Sequence, residues 1–371
     1  MIMTTISERQ TSRDRVLDSL AHRAPGRTPF SWGFGPTHEM SAVLERQLRT
    51  TGLDWHRLRD AVDDIFAIDP PYIGPELPEQ TDLWGIRRMA HSYGGGEYQE
   101  FAHHPLAGMD DLAAIRGYSW PSADWFDYSV LRERIRKGAS DRRLAVKVSG
   151  GNVFETYCWM TGLEEALSNM IISPDVVEAC LDHITSFYEQ RLTRILEAAG
   201  DLIDIVFLAD DLGGQQGLLL SRKLYRNIIQ PTHMRLTATI LRHAPHAKAM
   251  FHTDGAVFEI VPDLIDAGIQ VLEAVQTDAA GMVPELLKST YGTDLCFHGA
   301  ISVQQLLPGG TPESIRSECS KLIEVFGRDG GYIAAPSHAV QQGTPVENIL
   351  AMLEVVLGEQ DYLAASTIAK L

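Results

Sequence analysis

Short apolar runs that alternate with longer amphipathic segments dominate this sequence. After Arg143 the alternation is regular, and the run Leu144–Val148 is followed by predicted helices over 154–171 and 174–199. Over the whole chain, candidate strands lie near residues 30, 65, 146, 206, 250, 272, 296 and 333. Because strands that alternate with helices pair in parallel through right-handed crossovers, the pattern predicts an α/β fold with a parallel sheet. Eight such units favour a (β/α)8 barrel, the TIM barrel, over an open sheet.

The segment near residues 70–140 interrupts this alternation. It is rich in glycine, proline and aromatic residues, and residues 87–101 alternate around Gly94, Gly95 and Gly96 as a β-hairpin would. We interpret the segment as an insertion that covers one end of the barrel. The sequence as a whole, including this insertion, predicts a single barrel domain over residues 1–371. TIM barrels with insertions reach this length.

The charge balance narrows the range of partners. The chain has 32 basic and 49 acidic residues, and its formal net charge is −17. This balance argues against nucleic acid and anionic membrane surfaces, and leaves open a local basic pocket for an anionic substrate. No run of about 18 apolar residues could span a membrane, and the first residues lack a signal-peptide pattern. Four cysteines without a CxxC spacing indicate reduced thiols and a cytoplasmic location.

Polar side chains concentrate where the predicted strands end, which is where TIM barrels carry their reactive groups. Three of the last five strands end on a histidine, although the chain has only 13 histidines. The strand-end positions are Trp32, Asp69, Ser149, Asp210, Asp211, His252, Asp254, Glu273, Gln276, His298 and His338. Among them we assign substrate contacts to Trp32, Asp69, Ser149 and Gln276.

Two histidines and one carboxylate in this set predict a metal site. His252 and Asp254 are two residues apart and can converge on one ion, and His338 follows the last strand. Such a set suits zinc, and also iron or manganese, with open positions for water or substrate. His298 is either a hydrogen-bonded residue at a strand end, a fourth ligand, or an acid beside the site.

Adjacent Asp210 and Asp211 form a second candidate cluster. Two neighbouring carboxylates repel each other unless a cation, an arginine or a proton intervenes. One could act as a general acid or base, a substrate anchor or a metal ligand. The other reading is a loop cap that accepts hydrogen bonds from the amides of Gly213 and Gly214. We expect one aspartate of each kind, and spacing alone does not say which.

The order of these motifs resembles the uroporphyrinogen decarboxylase superfamily, which also contains zinc-dependent methyltransferases acting on methylcobalamin and thiols. The motifs that carry the resemblance are Ser149-Gly150-Gly151, Ala209-Asp210-Asp211-Leu212-Gly213, Leu224–Pro231, His252-Thr253-Asp254-Gly255, Leu264–Gly268, Gly299 and Ala335-Pro336-Ser337-His338. The resemblance covers nearly the whole chain, is most convincing over 145–357, and implies a (β/α)8 barrel.

Departures from the family pattern decide between its branches. The arginine-containing segment that holds the carboxylates of uroporphyrinogen is replaced here by Phe30-Ser31-Trp32-Gly33-Phe34-Gly35. The methyltransferase branch implies a metal-binding histidine at His252, but Asp254 and His338 stand where that branch has cysteines. A harder ligand set makes the metal a stronger Lewis acid and argues against thiol methylation.

The resemblance therefore predicts a metal-dependent methyltransferase with Asp210, Asp211 or His298 in catalytic roles. The expected metal is zinc, and the expected methyl donor is methylcobalamin, free or on a corrinoid protein. Two alternatives stay open: a metal-free decarboxylase acting on a porphyrinogen, and a non-enzymatic corrinoid-binding partner. A homodimer is one association state that the sequence leaves open, because nothing in it fixes the oligomeric state.

Overall fold

The computed structural model describes residues 10–93, 96–139 and 143–370, without the side chains of 92–98. The strands are β1 (Ile65–Ala67), β2 (Arg87–Tyr93), β3 (Gly96–His103), β4 (Ala145–Gly151), β5 (Ile205–Ala209), β6 (Lys248–His252), β7 (Val271–Ala274), β8 (Cys296–Ile301) and β9 (Tyr332–Pro336). The amino-terminal residues that bear on the predicted location fall outside the described residues.

The helices follow the strands along most of the chain. They are α1 (Ser12–Leu20), α2 (His38–Thr50), α3 (Trp55–Val62), α4 (Leu112–Gly117), α5 (Leu131–Ala139), α6 (Val153–Thr161), α7 (Leu163–Ile172), α8 (Pro174–Ala199), α9 (Arg222–Leu224), α10 (Gln230–His243), α11 (Val261–Asp266), α12 (Pro284–Tyr291), α13 (Leu306–Gly309), α14 (Pro312–Gly327) and α15 (Val346–Ile368). Within the described residues, no helix is long and apolar enough to cross a membrane.

Seven strands form one parallel sheet in the order β1-β4-β5-β6-β7-β8-β9, so the predicted parallel α/β architecture is confirmed. The predicted strand near residue 30 is shorter than expected, because only Phe30 bridges to Ala334 of β9. Phe30 also accepts a hydrogen bond from the backbone N–H of Asp64, just before β1 (2.9 Å). The backbone at Phe30 therefore contacts both edges of the sheet.

Side chains that face the interior of the sheet form two layers. The lower layer is apolar and consists of Ile65, Ala145, Ile205, Met250, Val271, Cys296 and Ile333, against which Val16 and Leu20 of α1 pack. Because side chains alternate along a strand, the residue two positions later faces the same side. Those later residues include Lys147, Phe207, His252, Glu273 and His298. This second layer, in which most of the named side chains are polar, thus lies directly above the apolar layer.

The segment between β1 and β4 packs against the helices that follow β4. Strands β2 and β3 pair in antiparallel fashion, which confirms the predicted hairpin, although the turn at 94–95 lies outside the described residues. The ring of Trp84 contacts Phe187 and Tyr188 of α8, and the N–H of Leu106 donates to the carbonyl of Met160 (2.8 Å). That the segment is an insertion covering one end of the barrel stays a prediction.

Candidate metal centre

The structure brings His252, Asp254 and His338 together at the carboxyl ends of β6 and β9, with one ligand atom from each lying within 4.8 Å of the others. Nε2 of His252 is 3.7 Å from Oδ1 of Asp254, and Nε2 of His338 is 3.9 Å from Oδ2. These separations are too long for hydrogen bonds, but suit atoms that each bind a shared ion at about 2.0–2.2 Å. Oδ1 of Asp254 is buried and has no hydrogen-bond partner among the described residues.

Glu273 holds His252 in the orientation that a metal site requires. Its Oε2 lies 2.5 Å from Nδ1 of His252, which leaves Nε2 directed toward Asp254. Burial alone would lower the pKa of His252, but the carboxylate of Glu273, aided by two aspartates, raises it to about 9. Burial would raise the pKa of Glu273, yet the two histidines hold it well below its usual range. A carboxylate behind a ligating histidine is the usual support of such sites.

His298 lies outside this three-residue group, beyond Glu273. Its Nδ1 is 3.6 Å from Oε1 of Glu273, whose other oxygen binds His252. The imidazole is buried, and neither ring nitrogen has a hydrogen-bond partner among the described residues. Burial lowers the pKa of His298. The structure does not bring His298 to the position of a fourth ligand.

Asp210 faces the protein interior. Its Oδ1 accepts the backbone N–H of Glu155 at the start of α6 (2.7 Å), and its Oδ2 pairs with Nε2 of His233 (2.7 Å). Nδ1 of His233 in turn lies 3.0 Å from the hydroxyl of Tyr225. Asp210 therefore joins the start of α6 to α10. The alternative role as a cap for Gly213 and Gly214 is wrong for this residue.

Asp211 faces the candidate metal centre. Its Oδ1 accepts the backbone N–H of Asp254 (2.9 Å) and lies 3.6 Å from Nε2 of His252. Its side chain is 37% exposed, whereas that of Asp210 is buried. The structure thus separates the two aspartates, with Asp210 in a structural network and Asp211 beside the site.

The two aspartates are expected to respond differently to substitution. Asp210→Asn should lower the free energy of unfolding by about 1–2 kcal/mol, because it disturbs a buried charge-assisted hydrogen bond. Asp211→Asn should change it by less than about 0.5 kcal/mol, since its side chain reaches solvent. Urea unfolding of both variants measures the difference. Equal losses would contradict the separation of roles.

Glu155 is a residue at the site that the sequence did not reveal. It lies in the first turn of α6 and lines the same cavity as Asp211 and His252. Burial, with the nearby charges of Asp210 and Asp211, raises its pKa to about 8. The carboxyl group is therefore protonated at neutral pH. Glu155 lies on a helix, beyond the end of a strand. A prediction based on polar residues at strand ends therefore does not include it.

This protonation predicts how stability depends on pH. Between the usual pKa near 4.5 and about 8, the unfolded chain is ionised at Glu155 while the folded chain is not. The contribution of Glu155 to the free energy of unfolding is thus fully present below the pKa of the unfolded state, and it decreases as pH rises toward 8. In metal-free protein, we compare the free energy of unfolding of Glu155→Gln with that of the unsubstituted protein. The difference in favour of the variant should be about 1–3 kcal/mol larger at pH 8 than at pH 5. The exposed Glu164→Gln is the control, and the same gain there would contradict the assignment.

A cavity of about 340 Å³ opens beside the centre. Its walls include Phe34, Ser149, Glu155, Phe207, Asp211 and His338. The ring of Phe34 lies 4.9 Å from the rings of both His252 and His338. The cavity therefore combines an aromatic wall with two carboxyl groups and the two candidate histidine ligands.

The uroporphyrinogen decarboxylase (URO-D) family model matches residues 94–358, which is more than half of the chain. The chain belongs to the URO-D family. Membership indicates an enzyme, and the sequence expectation of the superfamily is confirmed. The family match alone does not separate a transferase from a lyase.

The individual relatives include both a decarboxylase and a methyltransferase. Uroporphyrinogen decarboxylase of Coxiella burnetii is 23% identical over 262 residues, covering 68% of this chain and 68% of that protein. The methylated-thiol–coenzyme M methyltransferase of Methanosarcina mazei is 26% identical over 193 residues, covering 52% and 47%. A solved methyltransferase from Methanosarcina mazei superimposes with a TM-score of 0.66 at 17% identity, covering 93% of this chain and 98% of that one. That structure supports the fold alone.

Of the four predicted substrate contacts in this URO-D family member, Ser149 lines the cavity beside the metal centre. Trp32 is buried, its indole donates to the carbonyl of Arg59 (3.2 Å), and it lines a separate opening of about 750 Å³. That opening contains none of the three candidate ligands, although Phe34 borders both spaces.

The other two predicted contacts are engaged within the protein. Asp69 pairs with Nη2 of Arg191 (2.9 Å) and accepts the N–H of Ser149 (3.2 Å). Oε1 of Gln276 accepts the N–H of Gly255 (3.0 Å) in the loop that carries Asp254. In this structure both side chains position neighbouring loops, and neither lines the cavity.

Proposed function

We propose that this chain is a metal-dependent methyltransferase of the URO-D family. His252, Asp254 and His338 would hold a divalent ion, and zinc is the expected ion. The observation that carries the proposal is the convergence of these side chains around a buried carboxylate oxygen that has no other partner among the described residues. A buried acceptor without a partner is costly, and an ion would satisfy it.

The residues present fit a catalytic metal site. Two imidazoles and a carboxylate leave an open coordination position, as catalytic zinc sites do, and iron or manganese accepts a similar set. Bound there, the ion would supply Lewis acidity to a methyl acceptor or donor. Because the ligands are harder than thiolates, we expect the acceptor to bind through oxygen or nitrogen rather than through a thiol.

The remaining groups of the cavity would control protons and water. Asp211, whose Oδ1 is 3.6 Å from Nε2 of His252, is placed to accept the proton that a methyl acceptor loses. Glu155, protonated at neutral pH, is placed to return a proton to the cavity. Phe34 covers the two imidazoles and would exclude water from them.

Further features of the proposal follow from the family resemblance. Methylcobalamin, free or on a corrinoid protein, is the proposed methyl donor. The bridge between Phe30 and Ala334 of β9, and the hydrogen bond that the carbonyl of Phe30 accepts from Asp64 beside β1, support a closed (β/α)8 barrel, with 70–140 as its insertion. The four cysteines are buried and unpaired, which supports a cytoplasmic location.

A comparison of two reactions tests the proposal. Zinc-loaded protein should remove the methyl group of methylcobalamin in the presence of small oxygen or nitrogen nucleophiles, seen as a change in the cobalamin spectrum. It should leave uroporphyrinogen unchanged, because Phe30–Gly35 lacks the arginines expected for eight carboxylates. Decarboxylation of uroporphyrinogen by chelator-treated protein would replace the proposal with the decarboxylase alternative.

A further inference from the structure

Asn152 lies at the start of α6, in the position from which an asparagine side chain usually caps a helix. Such a side chain accepts the backbone N–H of the second or third helical residue, but Asn152 makes no capping hydrogen bond. Oδ1 of Asp210, in the loop after β5, accepts the backbone N–H of Glu155 instead (2.7 Å). Because Asp210 satisfies this N–H group, the amide of Asn152 can take another role.

Tyr188 of α8 holds the amide of Asn152 through its oxygen atom. The hydroxyl of buried Tyr188 donates to Oδ1 of Asn152 (2.7 Å), and Oγ1 of Thr156 lies 3.1 Å from that hydroxyl. The ring of Tyr188 packs against the backbone of Gly151, where φ is +129° and where a Cβ would overlap the ring. Since a side chain at Gly151 would displace the ring, glycine there keeps the hydroxyl beside the amide. Contacts from β4 and α8 thus fix the orientation of Asn152.

The nitrogen of the same amide is directed at Glu155. Asn152 and Glu155 both line the cavity beside the metal centre, and with its oxygen bound the amide offers the N–H groups of Nδ2. Burial and the charges of Asp210 and Asp211 raise the pKa of Glu155 to about 8, while the charge of His252 and a hydrogen bond with Asn152 act in the opposite direction. A hydrogen bond that favours the ionised form of a carboxyl group is one that its oxygen accepts, so Nδ2 is the donor. The hydrogen bonds therefore run in one direction, from the tyrosine through the amide to the carboxyl group.

We propose that Asn152, held by Tyr188, is a positioning residue for Glu155 and directs its acid proton into the cavity beside the metal centre. Nδ2 bonds to the carbonyl oxygen of the protonated carboxyl group, so the proton lies on the other oxygen, where a ligand in the cavity can accept it. After Glu155 has released the proton, the same N–H group stabilises the carboxylate. The role of Glu155 as a proton donor rests on the proposed function, whereas the order of the hydrogen bonds does not.

Infrared difference spectroscopy of chelator-treated protein tests the positioning without requiring turnover. The C=O stretch of a protonated carboxyl group reports its hydrogen bonds, and the difference between the unsubstituted protein and Glu155→Gln isolates the band of Glu155. In Asn152→Leu this band should move to higher frequency, because the carbonyl oxygen loses its hydrogen bond. The midpoint of its pH titration should rise by about one pH unit, because the carboxylate loses the same donor.

Two tyrosine variants separate positioning from packing. Tyr188→Phe keeps the ring and the amide of Asn152 but removes the hydroxyl that orients the amide, so the Glu155 band should broaden and move in the same direction as in Asn152→Leu. Tyr157→Phe is the matched control, because it removes a buried hydroxyl of α6 that has no hydrogen-bond partner among the described residues. It should leave the band and the titration midpoint of Glu155 unchanged.

Thermal unfolding and zinc binding separate the remaining explanations. If Asn152→Leu and Tyr188→Phe lose stability but keep the Glu155 band and midpoint of the unsubstituted protein, both residues have a structural role and the proposal is overturned. An equal shift of the band in Tyr157→Phe would overturn it as well. Zinc affinity should be the same in Asn152→Leu as in the unsubstituted protein. Spectral shifts as expected in a protein that binds no zinc would overturn the metal-dependent function and retain the positioning of Glu155.

Discussion

Replacement of His252 by alanine is expected to weaken zinc binding at least about 100-fold. The substitution removes one of three candidate ligands and leaves the buried carboxylate of Glu273 without its 2.5 Å partner. Loss of a supporting group behind a ligand typically costs 10- to 100-fold in metal affinity, and loss of the ligand itself should cost at least as much. Competition with a chromophoric chelator, together with elemental analysis of the purified protein, measures the change.

A surface histidine supplies the control for this experiment. His246 is exposed and lies outside the candidate group, so His246→Ala should retain the zinc stoichiometry and affinity of the unsubstituted protein. If the unsubstituted protein and His252→Ala contain the same amount of zinc, and that amount is less than one zinc per chain, the metal site is excluded. Circular dichroism spectra of the variants establish that any difference does not arise from unfolding.

Gly255→Ala should have the largest effect on stability, about 3 kcal/mol or more. Gly255 has a φ of +84°, and a Cβ there would lie 2.5 Å from the carbonyl oxygen of Gly214 and 2.7 Å from that of Gly213. The loops after β5 and β6 are therefore packed backbone to backbone. Strain in the left-handed region and steric overlap each cost about 1–3 kcal/mol. Because Asp254 precedes this glycine, zinc affinity should fall as well.

A second glycine separates strain from overlap. Gly281 has a φ of +76°, and a Cβ at that position would meet no atom within 4 Å. Gly281→Ala should therefore lower the free energy of unfolding by only about 1 kcal/mol, the cost of the left-handed backbone. Urea unfolding of both variants gives the comparison. If the two variants lose equal stability, the close packing of the loops is not what requires glycine at Gly255.

The sequence predicted the strands well because their apolar runs are distinct and bounded by polar residues. It predicted one helix over 154–171, whereas the structure has α6 and α7, separated at Gly162 with a φ of +93°. A single glycine within a helical pattern does not reveal its backbone conformation. The strand near residue 30 was shorter than predicted, and Gly33 and Gly35 both adopt positive φ values just beyond it. Local sequence thus located the elements but not their exact ends.

The candidate site was predictable where residues follow strands. His252, Asp254 and His338 were assigned to one metal site from the sequence, and the structure places them together. Glu155 was missed because its position depends on how α6 packs against the loop after β5. The four predicted substrate contacts were less successful, since a residue that follows a strand can equally bind a neighbouring loop, as Asp69 and Gln276 do.

What the sequence by itself determined is the periodic framework: apolar strands whose alternate residues face one interior, ending in metal-binding side chains, with the motif order of the URO-D family. Only the tertiary structure decided which groups have partners. It directs Asp210 toward His233 and Asp211 toward His252, and it places Glu273 between His252 and His298. The physical reason is that hydrogen bonds and charge pairs join residues far apart in the chain, and their distances depend on how strands and loops pack.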